Sequence, residues 1–576
     1  MVWETSPALS LASIVCRLAK AVIPVSTLWV AKLILDEVVK SPANHEKIWH
    51  LVAIEFALAI LNDLLARAIS LSDGLLGDRF TNVLSIRLIE HASRLDLVRF
   101  EDPDFQDKLE RARRQTSGRL GLLSTFTSLA QEGITIVTLS AGLVIFSPWL
   151  VLLLAVAVLP NFLGETHFAG LAYSLLYRST PERRELDYVR ILGASAHSAK
   201  EVKIFGLGSY LVERYRKLAG KYLAQNRALA MRRTLTGGAL SLLGTAGYYT
   251  AYVVVIQRTL AGVLSIGDLT FLAGAFARSR ALMESLLGSL SGISDQALYL
   301  SDLYEFFAIP PGIEARPGAL PAPRPIRTGF EFRGVSFRYP GKDRWVLRNM
   351  SFRLNPGERI ALIGENGAGK TTLVKLLARL YDPDEGAILL DGVDLREYDA
   401  TSLRREIGVI FQDYMRYDMP ARENIGLGRV EELSNEARIF DSAAKSLADG
   451  IIAQLPRGLD SMLGRRFAGG TDLSAGQWQK FALGRAYMRD AQLIILDEPT
   501  ASLDARAEFE VFQRFAALTE GKMAVLISHR FSTVRMADRI LVLEDGAILE
   551  QGSHAELVAR GGRYAELFDL QAAGYR

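Results

Sequence analysis

The chain has 576 residues, 49% of them apolar, a formal net charge of +3 and one cysteine. That length exceeds one hydrophobic core and calls for two or three domains, while the near-neutral charge gives no case for nucleic-acid binding. A lone Cys16 excludes an intramolecular disulfide framework and a cysteine metal cluster, and its apolar surroundings suit a small buried hydrophobe. The opening MVWETSPALSLASIVCRLAK lacks the basic, apolar, small-residue order of a cleavable signal, so none is expected.

Up to about residue 305 the chain repeats long apolar segments: 10–36, 49–70, 131–147, 149–164, 238–256 and 268–292. A bilayer span needs about 20 mostly apolar residues, and six spans are expected here. The connections 72–130 and 177–235 are each 59 residues long and hold 9 and 13 Lys+Arg, whereas the three short connections hold 3 together. Basic residues collect on the cytoplasmic side, which puts both long loops and both termini there. A soluble helical domain would not produce this alternation. Both long loops keep three- and four-residue apolar spacing, so the membrane helices are expected to continue as stalks. Turning points are expected near FEDPDF (100–105) and ELDYVRILG (185–193).

Residues 308–329 contain six of the 19 prolines and cannot form helix or sheet interior. The expected organisation is therefore a membrane domain at 1–307, a linker at 308–329 and a third segment at 330–576. Beyond the linker, the short apolar strands RIALIG, AILLDG, LIILDE, MAVLIS and RILVLE alternate with helical stretches, the pattern of an α/β domain on a mainly parallel sheet.

Gly364, Glu365, Asn366, Gly367, Ala368, Gly369, Lys370, Thr371 and Thr372 follow the strand RIALI and open the helix TLVKLLARL. This is the G-x-x-x-x-G-K-[ST] phosphate loop in its required strand–loop–helix setting. Its backbone N–H groups would close around phosphates at a helix N-terminus. Lys370 supplies a charge there, and the Thr371 hydroxyl can ligate Mg²⁺. In LIILDE, Asp497 is placed to hold the metal and Glu498 to polarise the water that attacks the γ-phosphorus of ATP.

LSAGQ (473–477) resembles the signature motif of ATP-binding cassette (ABC) ATPases, with Ser474 standing 23 residues before Asp497. Around it, Tyr339 in FRYPG looks like the residue that stacks on adenine. Gln412 in VIFQD looks like the residue joining metal and catalytic centre to the membrane domain, Asp504 in SLD like the D-loop aspartate, and His529 in LISHR like the switch histidine on the γ-phosphate. The membrane half, with FEDPDFQDKLERAR resembling a first coupling-helix region and SIGDLTFLAG an entry to the sixth span, is similar to bacterial ABC exporter half-transporters of the multidrug and lipid-flippase type. The resemblance implies an all-α transmembrane domain of six spans plus an α/β P-loop ABC nucleotide-binding domain, with ATP and Mg²⁺ as cofactors.

In that family two cassettes face head to tail, so Ser474, Gly476 and Gln477 would meet ATP held by a partner's phosphate loop. This implies a homodimer, or a heterodimer with a paralogous half-transporter. The expected activity is ATP-driven export or flipping of an amphiphile (lipid, peptide or drug-like) across the inner, cytoplasmic membrane by alternating access. A membrane-bound ATPase that regulates a partner protein is the alternative. Two features depart from the family: Ala475 replaces the middle glycine of the signature, and the lead-in LGRRFAGGTD puts Arg465 where a glutamate is usual. Within the spans, Asn161, Glu165, His167, Arg278, Arg280, Glu284, Tyr248 and Tyr249 are candidates for substrate contact.

Overall fold

The computed structural model describes residues 2–40, 42–116, 121–146, 148–178, 180–196, 198–313, 318–498, 513–528 and 534–573. The chain divides into two units, Met1–Ser93 with Asp104–Ile309, and Arg94–Pro103 with Pro310–Arg576.

The first unit is helical. It begins with α1 (Val2–Thr5), α2 (Pro7–Val38) and α3 (His45–Arg94). After the short α4 (Leu97–Phe100) of the second unit come α5 (Pro103–Thr116), α6 (Gly121–Phe146), α7 (Trp149–Arg178), α8 (Thr180–Ala194), α9 (Ala199–Ile204), α10 (Gly208–Leu260) and α11 (Ile266–Phe307). Among the described residues five helices, α2, α3, α6, α7 and α10, are long and apolar enough to cross a membrane. The sixth expected span falls on α11, whose apolar run is broken by Arg278, Arg280 and Glu284; it packs against α2, α6, α7 and α10. At 50 and 53 residues, α3 and α10 run far beyond the length of a bilayer span of about 20 residues.

The first expected turning point lies in the reversal at residues 95–102. The second does not lie in ELDYVRILG, which is helical to Ala194 with Gly193 inside the helix. The break that the structure describes lies between α9 and α10, where Gly206 takes the left-handed φ of +60° that a residue with a Cβ resists.

The core of this bundle is apolar: Leu139, Leu143, Leu154, Val158, Val255, Phe271 and Phe276 are buried together. Small residues let the backbones approach, as expected where lipid removes the hydrophobic drive between helices. A Cβ on Gly142 would stand 2.8 Å from Phe271 Cζ, and one on Gly247 2.8 Å from Ala157 Cβ. Among the described residues, several charges inside the bundle are paired. Arg17, buried on α2, joins Asp73 of α3 and donates to Ser128 of α6 at 3.0 Å, while Ser13 donates to Asp73 at 2.8 Å.

The second unit carries two sheets. The antiparallel one, in order β2-β1-β4-β5, uses β1 (Phe330–Phe337), β2 (Leu347–Leu354), β4 (Glu385–Leu390) and β5 (Val393–Asp394). The larger one, in order β10-β9-β3-β8-β7-β6, uses β3 (Arg359–Ile363), β6 (Ile407–Ile410), β7 (Leu493–Asp497), β8 (Met523–Ile527), β9 (Arg539–Glu544) and β10 (Ala547–Gly552). It is parallel except at β9–β10. Its helices include α12 (Lys370–Leu377), α13 (Ala400–Arg405), α14 (Ala421–Gly426), α15 (Glu436–Lys445), α16 (Asp449–Ile452) and α17 (Ala475–Arg489). β3, β7, β8 and β9 are near-continuous apolar runs because both sheet faces are covered. Among its described residues the proline-rich stretch forms no helix. Leu320 instead exchanges backbone hydrogen bonds with Glu397 (2.9 Å) and Asp399 (2.8 Å), and Arg324 pairs with Glu406 and Asp490.

Removing one partner of a buried ion pair strands the other charge, at a cost of about 3 kcal/mol. Asp73→Asn is therefore expected to lower the midpoint of thermal unfolding in detergent, and Arg17→Met with Asp73→Leu to recover most of the loss. Equal midpoints for wild type and Asp73→Asn would show the pair to be dispensable.

Candidate functional site

The phosphate loop follows β3 and ends at Lys370, the first residue of α12. Three of its glycines have positive φ: Gly364 (+155°), Gly367 (+88°) and Gly369 (+97°). At Gly364 only glycine fits, since a Cβ there would stand 2.3 Å from the Leu543 carbonyl oxygen. Lys370 Nζ is turned back onto its own loop, donating to the carbonyls of Gly364 (2.6 Å) and Glu365 (3.0 Å). Burial pushes this ammonium below its ordinary pKa, against the opposing pull of Glu498 and Asp497.

Those two carboxylates end β7. Asp497 is buried, and burial raises its pKa, with Glu498 adding to the rise while a hydrogen bond from Thr371 and the charge of Lys370 oppose it. Glu498 has the left-handed φ of +46°, its N–H donates to the Ile527 carbonyl at 3.0 Å, and its Oε2 accepts from Gln412 Nε2 at 3.0 Å. The structure thus brings together Lys370, Thr371, Asp497, Glu498 and Gln412, residues up to 128 positions apart in sequence. Thr371, Asp497 and Gln412 offer hydroxyl, carboxylate and amide oxygen, a hard oxygen set that suits Mg²⁺. The Tyr339 hydroxyl lies 3.0 Å from Thr372 Oγ1. Asp504 and His529 lie outside the described residues.

The signature opens α17. Ser474 is its N-cap in a capping box: Gln477 N–H donates to Ser474 Oγ (3.3 Å) and Ser474 N–H donates to Gln477 Oε1 (2.9 Å). Gly476 lies in the first turn, and Trp478 is buried in the helical layer with Ile425, Ile439 and Phe481. Ala475 is the first helical residue and is not among those with positive φ, so its methyl introduces no backbone strain.

Residues 347–501 match the family model described as "ABC transporter". The chain is 35% identical to the "ATP-dependent lipid A-core flippase" of Burkholderia orbicola (strain AU 1054) over 459 residues, 78% of this chain and 74% of that protein. The chain belongs to the ABC transporter family. It is also 29% identical over 546 residues to the "Subtilin transport ATP-binding protein SpaT" of Bacillus subtilis, covering 93% of this chain and 87% of that protein. In fold it matches a bacterial Atm1-family ABC exporter with ATP bound, at a TM-score of 0.81, 23% identity and coverage of 98% and 99% of the two chains. The transporter is thus an ATP-hydrolysing exporter with one membrane domain ahead of one ATP-binding cassette.

Several residues of the ABC transporter's site carry no sequence motif. Tyr414 donates to the Ala475 carbonyl at 2.9 Å, tying the segment after Gln412 to the signature helix. Arg563 pairs with Glu365 at 2.6 Å, joining the closing helix Arg563–Ala573 to the phosphate loop. In the membrane domain the candidates are mostly engaged internally. Glu165 pairs with Arg233, Arg280 with Glu284 at 2.9 Å and with Thr245, and Tyr248 stacks on Tyr252. A groove of about 870 Å³ between α8 and α10 is lined by Val189, Leu211 and Tyr215, among others, and by none of the candidate residues.

Ala475→Gly, which restores the usual signature, is expected to leave ATP hydrolysis within about two-fold, because that position needs no positive φ. Ser474→Ala removes a cap of about 1 kcal/mol as well as the hydroxyl, and a large loss of activity is expected. A strong gain from Ala475→Gly in a phosphate-release assay would contradict this reading of the turn.

Proposed function

We propose that two copies of this transporter form a homodimer in the cytoplasmic (inner) membrane, with both termini and the cassettes on the cytoplasmic side. The dimer exports or flips an amphiphile, a lipid or a hydrophobic peptide, by alternating access. The observation that carries the reading is the gathering of hydrolytic residues in one cassette: Lys370, Asp497 and Glu498 on one edge of the sheet, with Gln412 on Glu498. Two identical chains then give two competent sites. The printed activities of the relatives, lipid A-core flipping and subtilin transport, support the substrate class.

Each ATP lies between one chain's phosphate loop and the partner's signature. Lys370 exchanges its two loop carbonyls for phosphate oxygens. Tyr339 carries the adenine, Asp504 lines the cassette interface, and His529 steadies the γ-phosphate. Thr371, Asp497 and Gln412 hold Mg²⁺, which supplies positive charge to the phosphate oxygens. Glu498 polarises the attacking water, and Gln412, bonded to it, relates the catalytic centre to the membrane domain. At the signature, Ser474 Oγ and the N–H groups of Gly476 and Gln477 stand at the N-terminus of a 15-residue helix, which favours an anion.

Glu498→Gln is expected to slow phosphate release by at least about 100-fold while fluorescent-nucleotide binding persists; a wild-type rate would remove Glu498 from the role of base. In a Cys16→Ser background, Ser474→Cys with Asn366→Cys is expected to give ATP-dependent crosslinks between chains. Crosslinks within one chain only would refute the shared site. Transport of lipid or peptide into inverted vesicles separates an exporter from an ATPase that only regulates a partner, since the latter moves nothing alone.

A further inference from the structure

Glu101 lies just after α4, in the loop between two stalk helices and remote in sequence from the cassette, yet it belongs to the cassette's unit. Leu97 and Val98 of α4 pack against the cassette core, and Asp96 accepts hydrogen bonds from the N–H groups of Gly312 (2.6 Å) and Ile313 (3.0 Å). The loop is thereby fixed at both edges, and Glu101 is presented to two side chains. Lys375 Nζ donates to Glu101 Oε1 at 2.8 Å, and the Tyr381 hydroxyl donates to Glu101 Oε2.

Both partners touch the ring of Tyr339. Lys375 Nζ lies over that ring at 5.1 Å from its centroid, and Tyr381 meets it edge-on at 5.5 Å and 88°. The cation lies against one face of Tyr339, Phe337 meets the ring at 5.2 Å and 80°, and the hydroxyl is tied to Thr372 of the phosphate loop. Lys375 is largely buried. Burial, the largest influence, lowers its pKa, yet its hydrogen bond to Glu101 together with the charge of Glu101 and the contact with Tyr339 more than offset that, and the pKa stands above its ordinary value. The ammonium is therefore held charged under the ring by a carboxylate from outside the cassette sequence.

We propose that Glu101 is a positioning residue for the adenine of ATP: through Lys375 and Tyr381 it sets the platform on which Tyr339 receives the base. Adenine binding then depends on a residue carried by the loop between the stalks. The idea rests on the adenine role given to Tyr339 above, and the experiment separates the two.

Full-length transporter in lipid nanodiscs is assayed for ATP hydrolysis. Glu101→Gln and, separately, Lys375→Met are each expected to raise the KM for ATP about five-fold, the scale of one cation–π contact, with kcat within about two-fold. Glu101→Asp, which keeps a carboxylate for Lys375 and Tyr381, is expected to show less than half of that loss. In a Tyr339→Ala background, Glu101→Gln is expected to add nothing further to KM. An unchanged KM in both single variants, or a full additional rise in the Tyr339→Ala background, overturns the proposal. If Tyr339→Ala itself leaves KM unchanged, the adenine role of Tyr339 falls first. If Tyr339→Ala raises KM while Glu101→Gln does not, only the present inference falls.

Discussion

A buried ammonium facing two carboxylates is the constraint about which the cassette is built. Lys370, Asp497 and Glu498 stand at the ends of neighbouring parallel strands, and the charges of Glu498 and of each other bear on the pKa of Lys370 and of Asp497. They meet only because β3 and β7 both pair with β8, which puts the carboxyl ends of all three strands on one edge of the sheet. Among the described residues, neither Lys370 nor Asp497 forms an ion pair with an opposite side chain. Lys370 leans on two backbone carbonyls, and Asp497 takes a hydrogen bond from Thr371. The phosphates of ATP bring the negative charge that Lys370 lacks, so the cost of keeping this edge charged and partly dry becomes selectivity for a nucleoside triphosphate.

The membrane unit follows the opposite rule. There the charges find protein partners before any ligand arrives: Arg17 with Asp73, Lys32 with Asp268 at 2.8 Å, Arg233 with Glu165, Arg280 with Glu284. Lys32 also lies 4.6 Å from the ring centroids of both Trp29 and Phe146, so its ammonium is shielded by aromatic faces. Pairing of this kind removes the cost of an isolated charge in lipid. It also leaves these positions near-neutral overall, which suits a substrate recognised by its amphiphilic shape more than by one strong charge.

Much of this was legible in the sequence because it is carried by short-range pattern. The phosphate loop, the apolar strand ending in Asp497-Glu498 and the signature each declare themselves within ten residues, and hydropathy located the helices of the bundle. The second turning point was misplaced because helical spacing persists through ELDYVRILG, and the break depends on one left-handed glycine further on. The sixth span was harder to read because Arg278, Arg280 and Glu284 interrupt its apolar run. Glu101, Lys375 and Tyr381 were invisible for a different reason. A carboxylate in a polar loop and a lysine on a helix are ordinary singly, and only the fold brings positions 101, 375 and 381 together.

The two departures of the signature region now separate physically. Ala475 occupies an ordinary helical position behind an intact capping box, so the glycine it replaces was not required by backbone geometry. The lead-in is different in kind. Thr471 returns against Met462 and Gly464 through backbone hydrogen bonds of 2.8 Å, and Arg465 pairs with Asp472 at 2.6 Å, so the loop closes on itself. With its side chain 83% exposed, Arg465 gains little from that ion pair. The fold of the loop therefore rests on its backbone bonds, and the arginine head group remains exchangeable. A glutamate at that point would meet Asp472 as a like charge, whereas arginine is compatible with it.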